Sequence, residues 1–290
     1  GDDGGSGGGD SVGEEVLELP GLVQAGGTVT VVQDQKDFNI DDIDTRFLGK
    51  LYGSGFYNVK NNNSFTNEWT DSVNRPTLKT RLPERIFDIS KYPKMPPMPD
   101  MTWPYTIKTA KNTDYYWDLS NLVDESDPYN IKRVKVVDAG NSAGRIIFID
   151  NQNYNNGIQL NQINGPESDL PVTFIFSALK PVVLTGTITG NVRMFFAGDF
   201  QFGMGTETVA YNGLTMFMSN GDMKICSSIW SYKNNPGGGF LSSDKDITIV
   251  ESASFQGQIQ CRGNFKTSGL IQFNDSVLKA PGFTVPKGMK

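Results

Sequence analysis

The sequence predicts an all-β fold, namely a single-stranded right-handed parallel β-helix (β-solenoid) with a long irregular insertion. The first observation behind this prediction is a bulky apolar pair followed by a small residue, which occurs four times in the second half of the chain. The copies start 20, 22 and 23 residues apart, at Ile175-Phe176-Ser177, Phe195-Phe196-Ala197, Phe217-Met218-Ser219 and Phe240-Leu241-Ser242. A period just above 20 residues, made of short strands, is typical of one coil of a β-solenoid.

The second observation is an acid followed by two apolar residues in strict alternation, repeated with the same period. The three copies are Asp199-Phe200-Gln201-Phe202, Asp222-Met223-Lys224-Ile225 and Asp246-Ile247-Thr248-Ile249. If equivalent strands pair in parallel, the inward side chains stack in columns. One column is then Phe200, Met223 and Ile247, and the other is Phe202, Ile225 and Ile249. Each such buried side chain stabilises the fold by roughly 1.5–3 kcal/mol.

The chain divides into four segments by composition and periodicity. Residues 1–15, rich in Gly, Asp and Ser, predict a flexible tether, and a tether at this point suggests a removed N-terminal anchor, either a lipid or a helix. Residues 16–44 predict early solenoid strands. Residues 45–138, rich in Pro and Asn, predict an irregular excursion packed on the solenoid. Residues 139–290 predict the β-helix itself, with a C-terminal cap in which the tail from Ala280 blunts the last sheet edge.

The composition narrows the class of function. The 290 residues carry a net charge of −6, which argues against nucleic acid as a partner. No apolar run reaches the roughly 18–20 residues that span a bilayer, so the sequence predicts contact with a membrane only through the removed anchor. The chain has no histidine, which lowers the expectation of an enzyme because His is the commonest general base and metal ligand. We predict no cofactor and no metal.

The in-phase acids Asp199, Asp222 and Asp246 have three interpretations. Asp side chains at turns accept hydrogen bonds from backbone amides, and this is the favoured one. A column of carboxylates that binds a cation or a saccharide, and a catalytic group, are the alternatives. Two cysteines, Cys226 and Cys261, are too few for a disulfide scaffold. Two inert thiols are the default expectation, and a disulfide between them stays open.

Aromatic residues supply the candidate contacts with a partner. Trp230 and Tyr232 lie in a long loop between two copies of the repeat, and Trp103 and Tyr105 lie in the Pro-rich part of the excursion. These four are the predicted partner-contact residues. The aromatic run 115–117 either packs the excursion onto the solenoid, which is favoured, or stacks on sugars.

The last fifty residues resemble a known family. An apolar strand, an acid-led strand, a Phe-x-Gly-x-Ile step and a final Gly-x-Ile-x-aromatic segment follow one another in order. The segments are Phe240-Leu241-Ser242-Ser243, Asp246-Ile247-Thr248-Ile249, Phe255-Gln256-Gly257-Gln258-Ile259 and Gly269-Leu270-Ile271-Gln272-Phe273-Asn274-Asp275. This order is similar to the β-helical C-terminal domain of bacterial PilX-type proteins, which are associated with type IV pilus or pseudopilus assembly. Residues 25–31 resemble the opening strand of those proteins.

The resemblance covers about 120 residues from Val172 onward. It departs from the family pattern at Phe273, where a Tyr is common, and the excursion has no counterpart. It implies a non-enzymatic extracytoplasmic surface protein, a structural or assembly component with protein partners in a pilus-like or cell-surface system. A carbohydrate-binding or adhesive surface lipoprotein is the first alternative, and a β-helical polysaccharide lyase or hydrolase is the second. The last of these requires carboxylates that converge on one groove.

Overall fold

The computed structural model describes residues 13–19, 22–27, 29–31, 58–59, 100–102, 106–118, 132–150, 157–168, 170–205, 209–211, 213–231 and 237–286. Within these ranges there are 25 strands and one four-residue helix. Twenty-three of the strands belong to one large sheet in which almost every pairing is parallel. The predicted all-β class is therefore confirmed.

The large sheet consists of three ladders, A, B and C, in each of which a strand pairs with its equivalent one repeat further along the chain. Ladder A contains Tyr115–Asp118 (β7), Ile146–Asp150 (β9), Val172–Phe176 (β11), Val192–Phe196 (β14), Gly213–Ser219 (β17), Gly237–Ser243 (β20), Phe255–Cys261 (β22) and Val23–Ala25 (β2). Ladder B contains the first part of Lys132–Asp138 (β8) and of Ile158–Asn164 (β10), then Val182–Leu184 (β12), Phe200–Phe202 (β15), Met223–Ile225 (β18), Ile247–Ile249 (β21), Phe265–Thr267 (β23), Val29–Val31 (β3) and Asn58–Val59 (β4).

Ladder C completes each repeat. It contains Asp100–Thr102 (β5), which is antiparallel to its neighbour, Thr106–Lys108 (β6), the second part of β8 and β10, Ile188–Thr189 (β13), Val209–Tyr211 (β16), Ser228–Ile229 (β19), the start of β22 and Ile271–Phe273 (β24). From β10 onward the chain passes through the ladders in the order B, C, A, and then begins again. The remaining elements are Glu14–Glu15 (β1), Val285–Pro286 (β25) and the helix Ser276–Lys279 (α1).

The register of ladder B matches the sequence prediction. Phe200 pairs with Met223, and Met223 pairs with Ile247. The second predicted column, formed by residues 202, 225 and 249, is paired in the same way. All six side chains are buried in the main hydrophobic core. The alternating acid-led strands therefore identified both the inward face and the pairing partners correctly.

The register of ladder A differs from the alignment of the four triplets. Ile175 pairs with Phe195 as the triplets suggest, but Phe195 pairs with Met218 and not with Phe217. Phe217 in turn pairs with Leu241. The physical reason is the constant length of the connection that follows. Three residues separate ladder A from ladder B at 197–199, 220–222, 244–246 and 262–264, so these connections, and not the bulky pairs, determine which residues pair.

The bulky pairs arise because ladder A is buried on both faces. One member of each pair lies in the main core, and the other lies in a second core on the outer face. The main-core members are Phe176, Phe196, Phe217 and Leu241, and the second-core members are Ile175, Phe195, Met218 and Phe240. Strands that are buried on both faces have continuous apolar sequences, whereas strands with one wet face alternate. The repeated bulky pairs therefore belong to two cores, one on each face of ladder A.

Both ends of the described chain cover the outer face of ladder A. The second core contains Leu17 from the N-terminal side and Val277, Leu278, Phe283 and Val285 from the C-terminal side. Strand β1 also pairs in antiparallel fashion with β25. The tail after Ala280 therefore lies against ladder A, and does not blunt the last sheet edge as the sequence suggested. Its apolar residues find a complementary apolar face there.

Strands that come early in the chain would be expected next to the first repeats of the sheet. Strands β2 and β3 instead extend the sheet at its other end, next to the last repeats. Strand β2 pairs with β22, and β3 pairs with β23, so residues 23–25 and 29–31 continue the ladders beyond the C-terminal repeat. At the other end, β6 pairs with β8 and β7 pairs with β9. Residues 106–108, 115–118 and 132–138 are therefore part of the regular sheet, although the sequence assigned them to the irregular excursion. The predicted tether up to residue 12, and residues 60–99 of the excursion, lie outside the described residues.

An ion pair between the buried Arg193 and the exposed Glu14, with a hydrogen bond from Arg193 to Thr284, joins both described chain ends to ladder A. The Arg193 guanidinium lies on the outer face of β14 with 6% of the residue exposed. Its Nη1 lies 2.7 Å from the Oε1 atom of Glu14 and donates to the backbone oxygen of Thr284 at 3.0 Å. Its Nε donates to Thr173 Oγ1 at 2.9 Å. Burial lowers the pKa of Arg193 from its ordinary value, and the Glu14 carboxylate opposes that shift.

We predict that Glu14→Gln destabilises the fold by about 1–3 kcal/mol, because hydrogen bonds to charged groups contribute that much and Arg193 would remain buried without its counterion. The measurement is the free energy of unfolding in urea. Glu15→Gln is the matched control, since Glu15 is exposed like Glu14 but is not the residue that pairs with Arg193, and its substitution is expected to change stability by less than about 0.5 kcal/mol. Equal effects of the two substitutions would contradict a clamping role for Arg193.

The two cysteines are free thiols and both are buried. The default expectation of two thiols therefore agrees with the structure, and the alternative of a disulfide does not. Burial raises the pKa of the Cys261 thiol from 9.0 to about 12, and the neighbouring Asp246 carboxylate adds to that shift. Burial also raises the pKa of Cys226, and the positive charge of Lys224 opposes that shift.

We predict that the free energy of unfolding falls from pH 9 to pH 12 by up to about 1.4 kcal/mol per pH unit because of Cys261. Below pH 9 the thiol is protonated in both states and contributes no pH dependence. Above pH 9 it ionises in the unfolded chain while it stays protonated in the folded one, so unfolding becomes easier. The measurement is urea denaturation across this range, with Cys261→Ala for comparison. Parallel pH profiles for the two proteins would refute the prediction.

Candidate functional site

The connections from ladder A to ladder B form a regular corner on the surface. We call residues 197–199, 220–222, 244–246 and 262–264 the AB corner. Their third residues are Asp199, Asp222, Asp246 and Asn264, which stand one above another because the flanking strands are in register. Neighbouring strands of a sheet are about 4.8 Å apart, so this row advances by that distance in each repeat.

Each carboxylate of the row accepts a hydrogen bond from the backbone of the next repeat. Asp222 N donates to Asp199 Oδ1 at 2.8 Å, Asp246 N donates to Asp222 Oδ1 at 3.2 Å, and Asn264 N donates to Asp246 Oδ1 at 2.7 Å. The predicted role of these acids as acceptors for turn amides is confirmed. The amide dipoles also offset the repulsion between stacked like charges.

Serine hydroxyls complete the AB corner. Ser219 Oγ donates to Gly198 O at 2.6 Å and accepts from Gly221 N at 2.9 Å. Ser243 Oγ makes the equivalent bonds, to Gly221 O at 2.6 Å and from Lys245 N at 2.9 Å. A Cβ atom on Gly221 would lie 2.2 Å from Asp199 Oδ1, so the glycine leaves room for the carboxylate of the preceding repeat. Ser219 directly follows a bulky pair of the repeat, whereas Ser243 lies one residue beyond the small residue Ser242 of its copy.

We predict that Asp222→Ala destabilises the fold by about 0.5–1.5 kcal/mol, because Asp246 N loses its acceptor. Asp222→Asn retains an acceptor oxygen at the same position and should lose less than half as much. Urea denaturation of both variants measures the difference. If both variants lost the same stability, the charge of Asp222 and not its hydrogen bond would hold the corner.

A groove runs along the outside of ladder B, next to the row of acids. It has a volume of about 460 Å³ and crosses four repeats. Asp199, Asp222 and Asp246 border it, and the outward side chains of the ladder B strands line it. These outward residues are Val183, Gln201, Lys224 and Thr248. The groove therefore combines carboxylates, an amide, an ammonium group, a hydroxyl and an apolar end formed by Pro181 and Val183.

Two exposed apolar side chains lie beside this groove. Leu179, with 78% of the residue exposed, precedes the groove residue Pro181, and its backbone faces Gly198 of the AB corner. Met204 is 58% exposed, and its Sδ atom lies 3.5 Å from Gln201 Nε2. Large apolar side chains that are exposed next to a groove indicate a binding surface, because a ligand can cover them.

The three acids of the AB corner are placed to accept hydrogen bonds. In each carboxylate Oδ1 accepts an amide, while Oδ2 accepts no hydrogen bond from the described residues, and all three acids are exposed. In the described part of the chain, no group of three or more His, Cys, Asp or Glu side chains is placed to hold a metal ion. The Oδ2 atoms can accept hydrogen bonds from a ligand in the groove.

Trp230 is the one predicted partner-contact residue that the structure describes, and it does not line this groove. Trp230 follows strand β19 and is half-buried. Tyr232, Trp103 and Tyr105 lie outside the described residues, so their role as contacts stays a prediction. The aromatic run 115–117 is buried, and Tyr116 Oη donates to Asp150 Oδ2 at 2.9 Å. For these three aromatics the packing interpretation is confirmed.

Sequence reasoning did not identify the groove, although a signal for it is present. The residue between the two inward positions of each acid-led strand must face outward, and these residues are Gln201, Lys224 and Thr248. The sequence prediction took only the inward core positions from this alternation.

Comparison with protein-family models, with curated proteins and with solved structures finds no match for this chain. No helix in the described part of the chain is both long and apolar enough to cross a bilayer.

Proposed function

We propose that the chain is a right-handed single-stranded parallel β-helix and acts as a non-enzymatic binding scaffold. It would be a structural or assembly component of an extracytoplasmic, pilus-like or cell-surface system. The fixed order of ladders B, C and A supports the β-helix, because each repeat returns the chain to the neighbouring strand of the same ladder. Parallel strands joined by such crossovers are right-handed in nearly all proteins.

The observation that carries the proposal is the difference between ladder A and ladder B. The outer face of ladder A is covered by both described chain ends, which Arg193 holds in place. The outer face of ladder B carries an open groove across four repeats. A regular scaffold that covers one face with its own chain and leaves a groove on another is suited to bind a partner on the open face.

The chemistry of the groove favours binding over catalysis. Glycoside hydrolysis by general acid and base uses two carboxyl groups on opposite sides of the bond that breaks. Asp199, Asp222 and Asp246 instead stand in one row, and each uses an oxygen to bind a backbone amide. This arrangement supports a structural role for the three acids in the AB corner and a ligand-binding role at the edge of the groove.

The resemblance to PilX-type domains supports an assembly role in particular. Its segments correspond to β20, β21, β22 and β24, which are four of the five strands from β20 to β24 in the last repeats. The groove residues Lys224 and Thr248 lie in or next to these repeats. A partner in a surface assembly would therefore contact the part of the chain that carries the resemblance.

The test is surface assembly in the cells that produce the protein. We predict that Lys224→Glu reduces the assembled surface fraction at least fivefold, because it reverses the charge in the middle of the groove. Lys266→Glu is the matched control, since Lys266 occupies the same outward column one repeat beyond Thr248 and does not line the groove. Immunolabelling of intact cells measures the assembled fraction, and circular dichroism of the purified variants checks the fold.

Two outcomes would contradict the proposal. If Lys224→Glu and Lys266→Glu both assembled like the wild type, ladder B would not be the binding face. If the purified chain released reducing ends from a polysaccharide and Asp222→Asn abolished that activity, the protein would be an enzyme.

A further inference from the structure

We propose that residues 13–19 form a releasable strap, and that the strap of one copy of the chain can occupy the corresponding seat on a second copy. The seat consists of Arg193, Thr284 and strand β25 on the outer face of ladder A. The inference rests on the proposed function in one respect, namely that the chain belongs to an assembly. It does not involve the ladder B groove, and it adds the identity of one partner, which is the chain itself.

The strap is the smaller part of the cover on ladder A. It contributes Leu17, which is buried, and Leu19, which is partly buried, to the second core. The C-terminal segment contributes four buried apolar side chains, and its helix α1 packs against β17 and β20. These four are Val277, Leu278, Phe283 and Val285. The strap can therefore leave ladder A while the C-terminal segment stays in place.

The rest of the N-terminal chain does not depend on the strap. Leu22 is fully buried in the main core, and its backbone oxygen accepts from Ile259 N at 2.7 Å. Strand β2 then pairs with β22. Within the strap, residues 13–16 and 18 are all exposed. Release of the strap therefore leaves the ladders intact.

The seat requires a carboxylate. Arg193 is 6% exposed, so its positive charge is largely shielded from water. Glu14 Oε1 lies 2.7 Å from Arg193 Nη1, and Glu14 Oε2 accepts from Thr284 Oγ1 at 3.1 Å. Thr284 Oγ1 in turn accepts from Arg193 Nη1 at 3.1 Å, so the three side chains form one closed set of hydrogen bonds. A buried charge that loses its counterion is costly, so an empty seat is unfavourable and a segment that brings an acid is favoured.

The remaining contacts of the strap are those of a bound extended peptide. Strand β1 pairs with β25 in antiparallel fashion, and Leu17, three residues after Glu14, enters the second core. Gln258 Nε2 donates to Leu19 O at 3.1 Å. Main-chain pairing with a strand, together with a few side-chain contacts, is a general way in which proteins recognise extended peptides. The seat is therefore a complete peptide site that its own chain occupies.

A second copy of the chain is the partner that fits this site, because every copy carries both a strap and a seat. If two copies exchange straps, each seat keeps a carboxylate and each strap keeps its contacts, so no buried charge is left unpaired. Within one chain the strap is attached close to its own seat, so exchange is favoured only where the local concentration of copies is high. A surface assembly provides that condition.

The experiment mixes two full-length variants with reversed charges. In Glu14→Arg the strap carries the wrong charge for its own seat, and in Arg193→Glu the seat carries the wrong charge for its own strap. Exchange between the two variants restores an oppositely charged pair in both seats. We therefore expect the mixture to form a one-to-one dimer, measured by light scattering after gel filtration. Each variant alone, and the double variant Glu14→Arg/Arg193→Glu, should keep the mass of the wild type.

A peptide with the sequence of residues 11–19 tests the seat without reversing a buried charge. The receptor is the full chain with Glu14→Gln and Leu17→Ser, which weaken its own strap and leave the seat unchanged. Fluorescence anisotropy should show that the labelled peptide binds this receptor at least about tenfold more tightly than the wild type, whose strap competes. A peptide with Glu14→Gln should bind at least about tenfold more weakly. The matched peptide with Glu18→Gln, which removes an exposed carboxylate, should bind within about twofold of the original.

A mixture that kept the mass of the separate variants would overturn the exchange, provided that circular dichroism shows both variants to be folded. If Arg193→Glu does not fold, the peptide decides, and its failure to bind the weakened-strap receptor would overturn the proposal. Equal binding of the Glu14→Gln and Glu18→Gln peptides would overturn the requirement for a carboxylate. If no exchange occurred while Lys224→Glu still reduced surface assembly, the proposed function would stand and only this inference would fall.

Discussion

The register of the large sheet depends on a three-residue corner in which each repeat is hydrogen-bonded to the next. Parallel ladders alone do not fix how a chain crosses from one ladder to another, because every crossing leaves amides without a strand partner. At the AB corner the carboxylates of Asp199, Asp222 and Asp246 accept three of these amides. Ser219 and Ser243 bind the glycine carbonyls of the preceding repeat at the same level. Buried or partly buried backbone groups are therefore satisfied at a place where the sheet cannot satisfy them.

The constant length of this corner has consequences for both neighbouring ladders. Because three residues separate the end of ladder A from the start of ladder B in four consecutive repeats, the inward columns of ladder B stay aligned over the four strands that follow, from Phe200 to Phe265. The same constraint aligns ladder A, even where its bulky residues would suggest a different alignment. Phe196 therefore pairs with Ser219 and not with another large side chain. Backbone geometry decides the pairing, and the side chains fill the space that results.

Different parts of the fold were predictable to different degrees. The ladder B columns followed from the sequence because one wet face makes inward and outward residues alternate, as in Phe200, Gln201 and Phe202. The burial of ladder A on both faces did not follow from the sequence. The apolar run of β14 does not reveal whether its outer face packs against Phe283 or is exposed to solvent. The pairing of β2 with β22 joins residues more than 230 positions apart, and a single sequence carries no signal for it. The groove was predictable in part, since Lys224 must face outward, but its connection with Leu179 and Met204 depends on loops.

The same contrast between the ladders explains why a binding surface lies on ladder B. A strand such as β14, which presents large apolar side chains on both faces, cannot leave its outer face in water, since each exposed side chain would lose roughly 1.5–3 kcal/mol of stabilisation. The described chain ends supply Leu17, Phe283 and Val285 for that purpose, and Arg193 on the same face holds them through its ion pair with Glu14 and its hydrogen bond to Thr284. Ladder B needs no such cover, because its outward residues are polar or small. Its surface can therefore remain open in the folded protein at little cost in stability, and polar groups that recur in each repeat are available to a ligand.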